Sequence, residues 1–213
     1  MRLFLASEDF GGHVAELHRL VGDNKKALVI FNAQDYKDEG KRGDVIERKS
    51  KLFRENGFEF AELDLRNYFG KEQQLKEYIE EIKPGLVFSI GGNYFILRRA
   101  FAQSGLDETL LNDLENDKYV YGGSSAGTMI ATPDLRYYDD QKAEDVPSGY
   151  RSEPIWEGLG LVDMYISPHQ DQNWYKPYIK DRLDKLKRDG KPFITLNDSD
   201  VYVVDGEKKE VLR

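Results

Sequence analysis

Apolar positions along the chain come in two alternating kinds of run. Leu3-Phe4-Leu5-Ala6, Ala27-Leu28-Val29-Ile30-Phe31 and Leu86-Val87-Phe88-Ser89-Ile90 are short and continuous, the pattern of strands covered on both faces in a parallel sheet. Between them the apolar residues are spaced helically. Val14, Leu17, Leu20 and Val21 share one face of a short helix after the Gly11-Gly12 turn. Val45, Ile46, Leu52 and Phe53 mark a charged helix over 43–56 that Gly57 ends, and Leu75, Tyr78, Ile79 and Ile82 mark another over 71–82, stopped by Pro84-Gly85. A strand is predicted over 58–65. Helices are predicted over 94–103 and through Leu110, Leu111 and Leu114, and a central strand opens at Tyr119. Strands alternating with helices imply right-handed βαβ units. The fold class is therefore α/β, with an open, mostly parallel sheet flanked by helices on both faces.

After Pro133 the pattern loosens into a polar, Asp-rich loop over 133–160, longer than a compact domain tolerates without a use for it. A strand over 161–167 then leads to Pro168-His169, and a helix over 174–188 follows. Strands over 193–196, 201–204 and 210–212 close the chain, the last two joined as a hairpin through Asp205-Gly206.

Composition narrows the class. The 213 residues read as one domain, 1–213, and 39% hydrophobic residues suffice for its core. A formal charge of -8 argues against a nucleic-acid or anionic-membrane partner. Without cysteine there is no disulfide and no thiolate chemistry, so any covalent work falls to a serine or a carboxylate. No cofactor is expected. The four apolar residues at the N-terminus are too few for a signal-peptide core and no apolar run is of membrane-spanning length, so a cytoplasmic protein, monomer or homodimer, is expected.

The chemistry centres on Gly123-Ser124-Ser125-Ala126-Gly127. It lies between the apolar strand Val120-Tyr121 and the helically spaced Ala126, Met129 and Ile130, so Ser125 falls at a strand-to-helix turn. This is the G-x-S-x-G elbow, in which small neighbours let the backbone bend and present the hydroxyl above the sheet edge, beside the free N–H groups of the next helix. A serine nucleophile needs a base. Of the three histidines, His13 and His18 sit on the first helix, where surface or partly packed histidines are ordinary; His169 follows Pro168 at a strand end, on the edge expected to carry Ser125. For the acid that would orient the base, Asp134, Asp139, Asp140, Glu144 and Asp145 of the long loop are all candidates. Composition does not choose among them.

Ile90-Gly91-Gly92-Asn93, the elbow with its Thr132-Pro133 sequel, Asp139-Asp140, Pro168-His169 and the terminal Val201-Tyr202-Val203-Val204-Asp205-Gly206 together resemble the dipeptidase E family of serine peptidases, the aspartyl dipeptidases, to which the cyanophycinases are related. That family is similar in fold to the class I glutamine amidotransferases. The resemblance implies hydrolysis of small peptides, with Ser125 as nucleophile, His169 as general base and Asp140 as the third member, Asp139 being one residue away. It also implies Gly92 and Ala126 as backbone donors of the oxyanion hole.

One departure bears on specificity. Aspartyl dipeptidases carry an arginine shortly after the histidine that grips the substrate aspartate, whereas here Asn173-Trp174-Tyr175-Lys176-Pro177-Tyr178-Ile179 has none before Arg182. Lysine lacks the planar fork for a bidentate carboxylate grip, so a weak preference for N-terminal aspartate is expected unless Arg136 or Arg151 folds over from the long loop. Trp174 and Tyr175 are candidates for an apolar pocket or for helix packing. Two other readings stay open, a non-catalytic ligand-binding domain of the same fold and an α/β-hydrolase esterase, which lacks its HGGG-type loop here.

Overall fold

The computed structural model describes residues 1–144 and 146–213. Its main sheet has seven strands, β1 (Arg2–Ala6), β2 (Lys26–Ile30), β3 (Glu59–Glu62), β4 (Leu86–Ser89), β5 (Val120–Ser124), β8 (Val201–Asp205) and β9 (Lys208–Leu212), in the order β3-β2-β4-β5-β1-β8-β9. The first five run parallel, and the terminal hairpin adds β8 and β9 antiparallel at one edge. Two further strands, β6 (Tyr165–Ser167) and β7 (Phe193–Thr195), pair parallel with each other in a separate small sheet.

The apolar strands are continuous because both their faces are covered. Leu3, Leu5, Leu28, Ile30 and Val87 point into one core cluster with α3 (Glu72–Ile82), α4 (Tyr94–Ser104), α5 (Leu106–Glu115) and α6 (Ala126–Met129). The alternate positions, Phe4, Ala27, Val29, Leu86 and Phe88, point into another with α1 (Val14–Val21) and α2 (Glu39–Glu55). This is the period of two that a strand imposes, read from both sides. Each such fully buried Leu, Ile, Val or Phe side chain contributes about 1.5–3 kcal/mol of transfer free energy.

Boundaries differ from the sequence pattern where a polar residue overrides it. The charged helix α2 starts at Glu39, four residues early, because Asp38 caps it by accepting from the Lys41 N–H at 2.9 Å. The strand predicted over 58–65 is shortened to β3, and the chain then turns at Asp64, whose carboxylate accepts from the Arg66 N–H. The predicted strand 161–167 contracts to β6. It lies outside the main sheet, so His169 reaches Ser125 from a second sheet and not from a neighbouring strand of the first.

Candidate active site

Ser125 sits directly after β5, at the carboxyl end of the parallel strands, with φ 49° and ψ −108°. A serine in that region is strained by about 1–3 kcal/mol, which persists only where the surroundings over-determine it. They do so here. The Ser125 N–H donates to the carbonyls of Ala6 and Ser7 at the end of β1, the Thr128 hydroxyl donates to the carbonyls of Ala6 (2.7 Å) and Gly123 (2.9 Å), and the Tyr121 hydroxyl donates to the Gly127 carbonyl at 2.9 Å. Gly127 has to be glycine, since a Cβ there would stand 2.2 Å from the Ser89 carbonyl oxygen of β4. The elbow is thus fastened between β1 and β4.

His169 is 6% exposed and also has positive φ, 63°. Its Nε2 lies 3.0 Å from Ser125 Oγ and its Nδ1 lies 2.6 Å from Asp198 Oδ1. Ser7, fully buried at the end of β1, ties the two sheets together: its hydroxyl accepts from the His169 N–H at 2.8 Å and donates to Asp198 Oδ1 at 3.1 Å. Gln172 donates to the other Asp198 oxygen at 2.6 Å, and the Asp198 N–H donates to Asp171. The carboxylate is therefore fixed from several sides.

The structure corrects the expectation for Asp140. Its Oδ1 accepts from Arg182 Nη2 at 2.8 Å, in a pair whose side chains are 0% (Arg182) and 5% (Asp140) exposed, and Asp198 takes the position at the histidine instead. Arg182 also donates to the Tyr175 hydroxyl at 2.9 Å and to Ser167 Oγ at 3.1 Å. Burial pushes the Tyr175 phenol above its ordinary range, Asp140 adding to the effect against the opposing charge of Arg182. Tyr175 then packs edge-on against the His169 ring at 5.3 Å, so Asp140 bears on the histidine only through packing. Asp139 pairs with Lys185 at 2.5 Å, Asp134 pairs with Arg136, and Asp145 lies outside the described residues.

Asp198 escaped the sequence reading because it follows β7, far from the elbow loop. No local pattern marks it: His169 and Asp198 emerge from the carboxyl ends of two parallel neighbours, Ser167 of β6 being paired with Thr195 of β7. Their adjacency exists only once the two strands pair.

Gly91 and Gly92 follow β4 and face the elbow. Gly92 has φ 143° and no room for a Cβ, which would stand 2.3 Å from the Ala33 carbonyl oxygen. The Gln34 carboxamide donates to the Gly91 carbonyl; in a trans peptide this fixes the Gly92 N–H in the opposite direction. Among the described residues neither the Gly92 N–H nor the Ala126 N–H donates to a protein acceptor. A cleft of about 480 Å³ opens over these groups, walled further by Tyr94, Met129, Trp174 and Tyr178 and by the segment around Lys37 and Arg48. Trp174 is largely exposed within it. Arg136 is paired with Asp134 and Glu157 and Arg151 is on the exposed loop, and neither borders the cleft. Among the described residues no three carboxylates or histidines gather as metal ligands.

A strained serine over a mostly parallel sheet, hydrogen-bonded to a histidine that a carboxylate holds from behind, is the constellation of the serine hydrolases. Comparison with known proteins narrows this: a profile described as Peptidase family S51 matches residues 7–212, and the chain belongs to that family. It is 40% identical over 83 residues to "Peptidase E" of Streptomyces coelicolor (39% of this chain, 31% of that protein). It is 29% identical over 178 residues to an uncharacterized peptidase of Pasteurella multocida (79% and 76%), and 30% identical over 148 residues to "Probable alpha-aspartyl dipeptidase" of Drosophila melanogaster (67% and 56%). The matches thus span less than two thirds of two of these three relatives. In fold it is similar to a crystal structure from Listeria monocytogenes EGD-e provisionally designated peptidase E, with TM-score 0.79 and 19% identity over 100% of this chain and 98% of that one. A peptidase from an acI-B1 Actinobacterium gives TM-score 0.65 at 18% identity, over 99% and 86%.

Proposed function

We propose that the chain is a serine dipeptidase working through Ser125, His169 and Asp198. The observation that carries this reading is the unbroken line from Ser125 Oγ to His169 Nε2 (3.0 Å) and from His169 Nδ1 to Asp198 (2.6 Å). With the Nδ1 proton donated to Asp198, Nε2 is left as an acceptor for the Ser125 proton. Ser125 Oγ attacks the scissile carbonyl as His169 takes that proton. The oxyanion forms beside the Gly92 and Ala126 N–H groups, which cost no reorganisation because Gln34 and the elbow already hold them. His169 then returns the proton to the leaving amine as the C–N bond breaks, and the acyl-enzyme is released by a water that His169 activates in the same way.

The direct test is labelling with a serine-directed fluorophosphonate followed by peptide mapping, together with turnover of a small dipeptide panel. Stoichiometric modification of Ser125, absent in His169→Ala, is the expected result. Unlabelled, well-folded protein with no dipeptide turnover would favour a non-catalytic ligand-binding domain.

A further inference from the structure

The wall of the cleft contributed by α2 and the segment before it carries two cations, Lys37 and Arg48, that no carboxylate among the described residues pairs. Val45 and Lys49 are buried on α2, and Arg48 shares their face, one turn from Val45, where it borders the same cleft as Ser125. Lys37, half-buried, borders it too. The neighbouring cations are matched: Lys41 with Asp38 at 2.9 Å, Arg42 with Asp35 at 2.6 Å and Glu62 at 2.8 Å, and Lys49 with Glu8 and Asp9. Among the described residues neither Lys37 nor Arg48 has a carboxylate within ion-pair distance. Burial holds the Lys37 ammonium below its ordinary range, and Arg48 and then Lys41 repel it further. On a chain of net charge -8, Lys37 and the exposed Arg48 border the cleft of Ser125. The Tyr36 ring, 5.6 Å from the Lys37 ammonium, is the one group facing that charge among the described contacts, which favours an anion entering there. The cleft's own remaining carboxylates do not meet that charge, since Asp140 is bound to Arg182 and Glu8 to Lys49.

We propose that Lys37 and Arg48 form a carboxylate-binding subsite that holds a carboxylate of the peptide while its scissile carbonyl lies over Ser125. The inference rests on the peptidase reading above. It places a cationic grip on α2 and the segment before it, a wall of the cleft distinct from the one that follows His169. The carboxylate can belong to the C-terminus of the leaving residue or to an acidic side chain of the N-terminal residue, and the same chemistry serves both.

The test is calorimetric binding to Ser125→Ala protein, which needs no turnover. Four peptides form two matched pairs: Leu-Leu with its C-terminal amide, and Asp-Leu amide with Asn-Leu amide. In at least one pair the carboxylate form should bind roughly tenfold tighter, the scale of a hydrogen bond to a charged group. Adding Lys37→Gln and Arg48→Gln should collapse that ratio to within about twofold, whereas Lys37→Arg with Arg48→Lys should keep most of it. The pair that collapses identifies the carboxylate. The proposal is overturned if no peptide binds, if neither pair discriminates, or if the discrimination survives the double glutamine substitution. Discrimination by a wild-type protein that turns over no peptide would instead count against the peptidase reading and leave the subsite standing.

Discussion

Two carboxylates stand near His169, and they are held by opposite means: the Asp198 side chain is 26% exposed and that of Asp140 is 5% exposed. Asp198 is met behind the histidine by groups that keep it ready for a neighbour's charge: Ser7 and Gln172 donate to its oxygens, and His169 Nδ1 lies at 2.6 Å. Asp140 is committed to the fully buried Arg182, with Tyr175 and Tyr138 packed around that guanidinium. A carboxylate whose charge is already answered by a guanidinium has little left to stabilise an imidazolium, whereas one held by neutral donors does. Proximity in sequence to the elbow thus says less about a catalytic acid than what its oxygens already bind.

The comparison can be broken at several strengths. The largest effect belongs to the groups that Asp198 serves. Ser125→Ala and His169→Ala should each lower kcat by about 10⁶-fold, and the double variant should be little worse than either, because members of one catalytic unit are non-additive. Steady-state turnover with thermal melts as a control checks both. Additive losses would separate the two residues.

On the Asp140 side the loss should be one of stability. Removing one partner of a buried pair leaves the other charge uncompensated and costs about 3–5 kcal/mol, so Asp140→Ala should lower the denaturant midpoint strongly while kcat of the remaining folded protein falls by less than about tenfold. A stable but inactive Asp140→Ala would return that residue to the chemistry.

A smaller effect is expected one step removed from the reacting atoms. Gln34→Ala frees the Gly91–Gly92 peptide to rotate and should lower kcat by roughly tenfold with KM little changed, less than the 10²–10³ of deleting an oxyanion donor outright. An effect on KM alone would make Gln34 a binding residue.

What could be read beforehand follows the same division. The parallel strands and the elbow were legible because their causes are local: continuous apolar runs, glycines where no Cβ fits, a serine between strand and helix. Ser125 and His169 belong to that class, Gly92 was implied by the family resemblance, and the structure brings all three to one cleft. Asp198 was not legible, because its place depends on β7 pairing beside β6, and Ser7 was not, because a serine ending a strand has no signature until another sheet docks on it. The cationic wall around Lys37 and Arg48 was hidden for a similar reason. Among 31 Lys and Arg residues, only the fold shows which have found a carboxylate.

The central claim is that Asp198, and not Asp140, orients and charges the histidine. Comparing kcat/KM of Asp198→Asn and Asp140→Asn on one dipeptide, at a temperature where both are folded, tests it most directly. The account predicts a loss of about 10⁴-fold for Asp198→Asn, the scale on which a triad carboxylate acts, and less than about tenfold for Asp140→Asn. The reverse order, or two equal losses in fully folded proteins, would contradict it.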